Sequence, residues 1–145
     1  HSLKLAEAVS LRALRDQVVE RPVIATWNSL LDYCKAKLAH QMNEQFNILF
    51  LDNNNSLIAD ETQQKGTVNH VPLYPREVIK RALELNASAI ILVHNHPSGD
   101  PSPSPADIEM TEEVCEAGQK LGVTVHDHLI FSRTGHSSFK SMGLL

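Results

Sequence analysis

The stretch ILVHNHPSGDPSPSPAD, residues 91–107, passes from a short apolar run through two histidines one residue apart into a loop with four prolines, and ends on an aspartate. With Ala89 and Ile90 in front of it, the run AIILV has the unbroken apolar character of a strand buried on both faces. Beyond the loop, Ser104, Pro105 and Asp107 make a helix start: a hydroxyl at the cap, proline in the first helical position and an acid in the first turn. Gly122 supplies the stop of that helix. A buried strand followed by a stiff loop and a helix points to an α/β or α+β fold with a mixed central sheet.

The flanking segments agree. Upstream, YPREVIKRALELNAS predicts a helix with Pro75 near its start and Val78, Ile79, Ala82 and Leu83 on one face. Before it, QFNILFLDNNNSLIADET has a β-rich run at 46–51, an asparagine turn and a second run at 57–59, which predicts a hairpin. Two amphipathic helices precede the hairpin. One spans 3–20 with Leu3, Leu5, Val9, Leu11, Leu14 and Val18 as its apolar positions; the other carries Leu30, Leu31, Cys34 and Leu38, capped by Thr26 or Asn28. Downstream, VTVHDHLIFS predicts a strand, RTGH a turn, and SSFKSMG an edge or tail.

A chain of 145 residues fits one domain with a real core. Its apolar fraction of 42% and charged fraction of 21% are those of a folded protein and exclude extended disorder. Thirteen basic against seventeen acidic residues give a net charge of -4, so the basic surplus that non-specific nucleic-acid binding relies on is missing. No apolar run approaches the ~20 residues of a membrane span, and the first residues are amphipathic instead of signal-like. A cytoplasmic location is expected. Cys34 and Cys115 lie too far apart in helical segments to suggest a disulfide framework, and are expected as small buried residues.

His94 and His96 leave the same face of the chain if their segment stays extended, because side chains alternate along a strand. Asp107 follows eleven residues after His96, beyond Pro97, Pro101, Pro103 and Pro105. Two nitrogens and one carboxylate oxygen suit zinc, with a fourth tetrahedral position left for water. Spacing alone leaves a second explanation open: SPAD at 104–107 is also a helix-capping pattern, and two histidines at a strand end can be satisfied structural residues.

HNHPSGDPSPSPAD resembles the JAMM motif of the JAB/MPN zinc metalloproteases: H-x-H, ten residues, then aspartate with serine three places before it. YPREVIKRALELNASAIILVHNHPSGDPSPSPADIEMT, together with LGVTVHDHLI, resembles RadC, the bacterial branch of that family, from about residue 44 to the end. The resemblance implies a JAB/MPN-like (cytidine deaminase-like) three-layer fold, a mixed sheet flanked by helices. It makes residues 41–145 the catalytic domain and residues 1–40 the helical tail of RadC's amino-terminal region, most of the helix-hairpin-helix-like part being absent. It further implies Zn2+ held by His94, His96 and Asp107, with Glu44 as general base and Ser104 as oxyanion donor. Glu61 and Glu77 are the rival carboxylates, but Glu61 belongs to the outgoing hairpin strand and Glu77 to the first turn of a helix, where an acid is favourable anyway.

The expected activity is hydrolysis of an amide in a protein or peptide substrate. An alternative from another class is a DNA-repair-associated binding or nuclease module, in which the motif is structural or serves phosphodiester hydrolysis; the acidic balance disfavours direct nucleic-acid contact. An exposed edge strand offers a route to a homodimer. HDH at 126–128 repeats the H-x-H spacing and is expected mainly to serve structure, with Asp127 the candidate outer partner of the metal site. Asp100 is expected in a turn, and His40, His70 and His136 as isolated surface or packed residues.

Overall fold

A computed structural model describes residues 2–18, 26–65 and 73–145; His70 lies outside them. In chain order the elements are α1 (Ser2–Val18), α2 (Trp27–Leu38), β1 (Gln45–Leu51), β2 (Leu57–Lys65), α3 (Pro75–Glu84), β3 (Ala89–Asn95), α4 (Pro105–Lys120), β4 (Thr124–Ser132) and β5 (Gly135–Ser138). The strands form one sheet in the order β2-β1-β3-β4-β5. β3 runs antiparallel to β1 and parallel to β4, with α4 as the crossover that parallel pairing requires. The sheet is therefore mixed, as expected, and β3 is its centre, buried at all seven positions.

Strand alternation sorts the apolar residues between two cores. Leu49, Leu51, Ala89, Ile91, Val93, Leu129 and Phe131 pack with Leu30, Tyr33, Cys34 and Leu38 of α2. Phe46, Ile48, Phe50, Ile90 and Leu92 pack on the other face with Val78, Ile79 and Ala82 of α3 and Val114 of α4. The result is three layers. Each fully buried large side chain contributes about 1.5–3 kcal/mol, more than a single helix cap at ~1 kcal/mol, so register is set by these faces before local signals. α2 lies on the amino-terminal side of the boundary expected at residue 41, yet its buried face completes the first core. Tyr33 and Lys37 also both donate to Asp60 of β2, tying helix to hairpin.

The local signals act where expected. Asp52 accepts from the amides of Asn54 and Ser56, and Asn55 takes the left-handed conformation (φ 59°) that asparagine tolerates in a turn. Pro75 opens α3, and Ser104 with Asp107 forms a complete capping box on α4. Thr26 holds the N-cap position of α2 without a side-chain capping bond.

Three details differ from expectation. Leu83 is 46% exposed: at 100° per residue it falls roughly 90° from the centre of the stripe made by residues 78, 79 and 82. Leu5 and Val9 of α1 are exposed, whereas Leu11 and Leu14 pack against the α2 core. β5 begins at Gly135, inside the segment expected as a turn. Among the described residues no helix is long and apolar enough to cross a membrane.

Gly118 shows how tightly α4 joins β4. A Cβ there would stand 2.3 Å from the carbonyl oxygen of Val123, whose amide donates to the Gly118 carbonyl. Backbone cannot rotate away as a side chain can. Gly118→Ala is expected to destabilise the protein by about 3 kcal/mol, the upper part of the range for overpacking, read as a lowered urea midpoint; an unchanged midpoint would contradict the close approach.

Candidate metal centre

The site forms where β3 leaves the sheet. His94 continues the face of Ile90 and Leu92, is 0% exposed, and stacks on Phe46 with centroids 4.8 Å apart and planes 11° from parallel. One residue past the strand, the His96 amide donates to the Phe131 carbonyl and prolongs the pairing with β4. The segment thus stays extended, and the two imidazoles turn to one side with Nε2 atoms 3.0 Å apart.

The proline loop is braced from the β4–β5 turn and from β5 itself. Thr134 Oγ1 donates to the Gly99 carbonyl (2.6 Å) and Ser137 Oγ to the Pro101 carbonyl (2.5 Å). Asp100 is a turn residue as expected, its carboxylate accepting from the Ser102 amide. Its carbonyl does more: it lies 3.0 Å from His96 Nδ1 and can only accept, so that nitrogen carries the proton. In the neutral ring, Nε2 of His96 then carries the lone pair.

Asp107 arrives through the capping box. Its Oδ2 accepts from the Ser104 amide (2.9 Å) and stands 3.2 Å from His96 Nε2, while Oδ1 is 3.5 Å from His94 Nε2. Burial alone would raise its pKa, but the adjacent His94 and His96 rings hold the carboxyl well below the usual range. For His96, burial lowers the pKa, and the bonds to Asp107 and the Asp100 carbonyl outweigh it, leaving the ring above its ordinary value. The Ser104 hydroxyl accepts from the Asp107 amide at 3.0 Å.

Glu44 reaches the same place from the loop before β1, with Oε1 3.7 Å from His94 Nε2. Glu44, His94 and His96 offer ligand atoms all within 4.8 Å of one another. The structure therefore brings together Glu44, His94, His96 and Asp107, with Ser104 at the adjoining helix cap. Asp107 approaches His94 Nε2 more closely, at 3.5 Å, than Glu44 does, at 3.7 Å. The rivals are engaged elsewhere: Glu61 forms a two-bond pair with Arg81 at 2.7 Å, and Glu77 is exposed in the first turn of α3. His40 is exposed, and His136 stacks on Phe131.

Asn95, between the two histidines, points to the opposite face and is 1% exposed. Its Oδ1 accepts from the Gln45 amide (2.6 Å) and its Nδ2 donates to the Asn43 carbonyl (3.0 Å), so it clasps the backbone on both sides of Glu44. Asn95→Ala leaves these buried groups unpaired and is expected to cost about 1–3 kcal/mol in chemical denaturation. A loss near zero would show that the loop holds without it.

The HDH segment corrects one expectation. The outer partner of the site is His128 and not Asp127. His128 Nε2 is 2.7 Å from His94 Nδ1, and Thr111 Oγ1 is 2.7 Å from His128 Nδ1. Asp127 instead accepts from the His128 and Lys140 amides and from Ser138 Oγ, closing the end of the sheet. The cause is a register shift: Ile90 pairs with Val125 but Ile91 with Asp127, leaving His126 as an extra residue. His126 Nε2 sits 2.7 Å from Asn55 Oδ1, away from His94, so the two histidines of HDH do not form a second chelating pair. Repeated spacing marked the segment; Thr111, four residues after Asp107 on one helix face, was the other available signal.

Ligands at ~2.1 Å in a tetrahedral array stand about 3.4 Å apart. The His94–His96 separation of 3.0 Å and the approaches of the two Asp107 oxygens, Oδ2 3.2 Å from His96 and Oδ1 3.5 Å from His94, lie near that value, and the donor set of two imidazoles and a carboxylate is one zinc accepts. The residues fit the ion.

Residues 24–144 match the sequence model of a family described as the RadC-like JAB domain. A UPF0758 protein of Rhodobacter capsulatus is 57% identical over 143 residues, covering 99% of this chain and 67% of the relative.

Proposed function

Given that the chain belongs to the RadC-like JAB domain family, we propose that it is a zinc-dependent peptidase or isopeptidase, cleaving an amide bond in a protein or peptide by attack of water. The observation that carries this is the convergence of two imidazole Nε2 atoms 3.0 Å apart with carboxylate oxygens 3.2–3.7 Å from them. Groups that offer lone pairs to one point repel each other unless a cation or protons stand between them.

His94, His96 and Asp107 would hold the ion. Zinc bound there supplies a water acidified toward neutrality and a Lewis acid for the scissile carbonyl. Glu44, on a loop clasped by Asn95, accepts the proton of the attacking water and delivers it to the leaving amine. Ser104 accepts from the Asp107 amide, so its own hydroxyl proton serves as a donor to the developing oxyanion. Two free cysteines support a cytoplasmic setting.

The test compares peptide-linked and isopeptide-linked substrates with phosphodiesters on zinc-loaded protein. Turnover confined to the amides supports the proposal. Turnover confined to the phosphodiesters would overturn it in favour of a nuclease.

A further inference from the structure

His128 and Thr111 are 0% and 1% exposed and lie behind His94, on the side away from Glu44, His96 and Asp107. The polarity of their hydrogen bonds follows from one fixed point. The Asp107 main-chain carbonyl can only accept, so Thr111 must donate its single hydroxyl proton to it, at 2.7 Å. Thr111 Oγ1 can then meet His128 Nδ1, also at 2.7 Å, only as an acceptor, which places a proton on that nitrogen.

His128 is fully buried, and its side chain hydrogen-bonds a hydroxyl and another imidazole, neither of which balances a positive charge. A neutral ring with its proton on Nδ1 has a lone pair on Nε2. That atom, 2.7 Å from His94 Nδ1, accepts, and His94 must donate from Nδ1. The direction is therefore set three groups back, by a peptide carbonyl in the first turn of α4, and runs Asp107 carbonyl, Thr111, His128, His94. Phe46 and Phe139, stacked on His94 and His128, hold the rings in these orientations.

We infer that Thr111 and His128 are positioning residues that lock His94 as the Nδ1–H tautomer, so that its Nε2 lone pair always faces Glu44, His96 and Asp107. The arrangement deepens the metal proposal and rests on it for its purpose, but the tautomer itself is measurable without metal. It also explains why a buried histidine occupies a place where a leucine would pack: only a group that accepts at one end and donates at the other transmits the direction.

The experiment records nitrogen-15 histidine spectra of the metal-free protein and titrates Zn2+ and Co2+ into the same samples. His94 is expected as the Nδ1–H tautomer in the parent. In His128→Leu and in the near-isosteric Thr111→Val, the Nε2–H form of His94 is expected to appear, with zinc affinity falling about 10–100-fold, as for loss of an outer-shell partner. His128→Gln, whose amide oxygen accepts in the same place, is expected to restore both within a few-fold. Finding His94 as Nε2–H in the parent, or an unaltered tautomer in folded Thr111→Val, overturns the inference. Failure of the parent to bind zinc at all would defeat the metal proposal and leave the tautomer measurement to decide the relay.

Discussion

His96→Ala is expected to strip the protein of zinc, from about one ion per chain to a small fraction, as measured by metal analysis after gel filtration. The loss should exceed the about 10–100-fold weakening that follows removal of an outer-shell partner, because a coordinating atom itself disappears. His96 is the cleaner choice among the three proposed ligands. Asp107 also caps α4, so its removal would cost helix stability at the same time, and His94 is fully buried beneath Phe46. His96 lies just past the end of β3 and its side chain is 16% exposed, so alanine there should leave the unfolding midpoint nearly unchanged. Full zinc content in the variant would refute the ligand set.

Glu44→Gln is expected to behave in the opposite way, keeping zinc while amide hydrolysis falls by about 10²–10⁴-fold, the usual contribution of a positioned acid–base group. The amide is isosteric with the carboxylate but cannot take a proton from water near neutrality. The geometry makes this a real choice, since Glu44, His94 and His96 by themselves form a cluster able to hold a metal ion. If Glu44 were a ligand, the substitution would release zinc along with activity. Retention of metal with loss of turnover identifies the base; retention of both would remove Glu44 from the chemistry.

Much of the fold could be read from the chain because the signals were redundant. The unbroken apolar run before His94 demanded a central strand, and Ser104, Pro105 and Gly122 marked the helix that follows. The extended segment that turns His94 and His96 to one side was likewise implicit in their spacing. Glu44 was different. Nothing local distinguishes a glutamate at a strand entrance from a solvated one, and what places it is a long-range clasp by Asn95, fifty-one residues further on. His128 was passed over in favour of Asp127 for a related reason: alternation would put His126 and His128 on one face, but the bulge at His126 moves one of them across the sheet. Bulges depend on how two strands pair, and a single strand's pattern does not announce them. Leu83 shows the smaller error of a helix stripe drawn one residue too wide.

The capping box at Ser104 and Asp107 has a consequence for selectivity. One oxygen of that carboxylate is oriented by the same amide that starts α4, and the imidazoles are oriented by the sheet and a braced loop. Most of the ordering a chelator requires is thus completed by folding, which is the general advantage of preorganisation. Competition among divalent cations at such a centre is decided by ionic radius and donor preference, not by which of them can reshape the chain around itself.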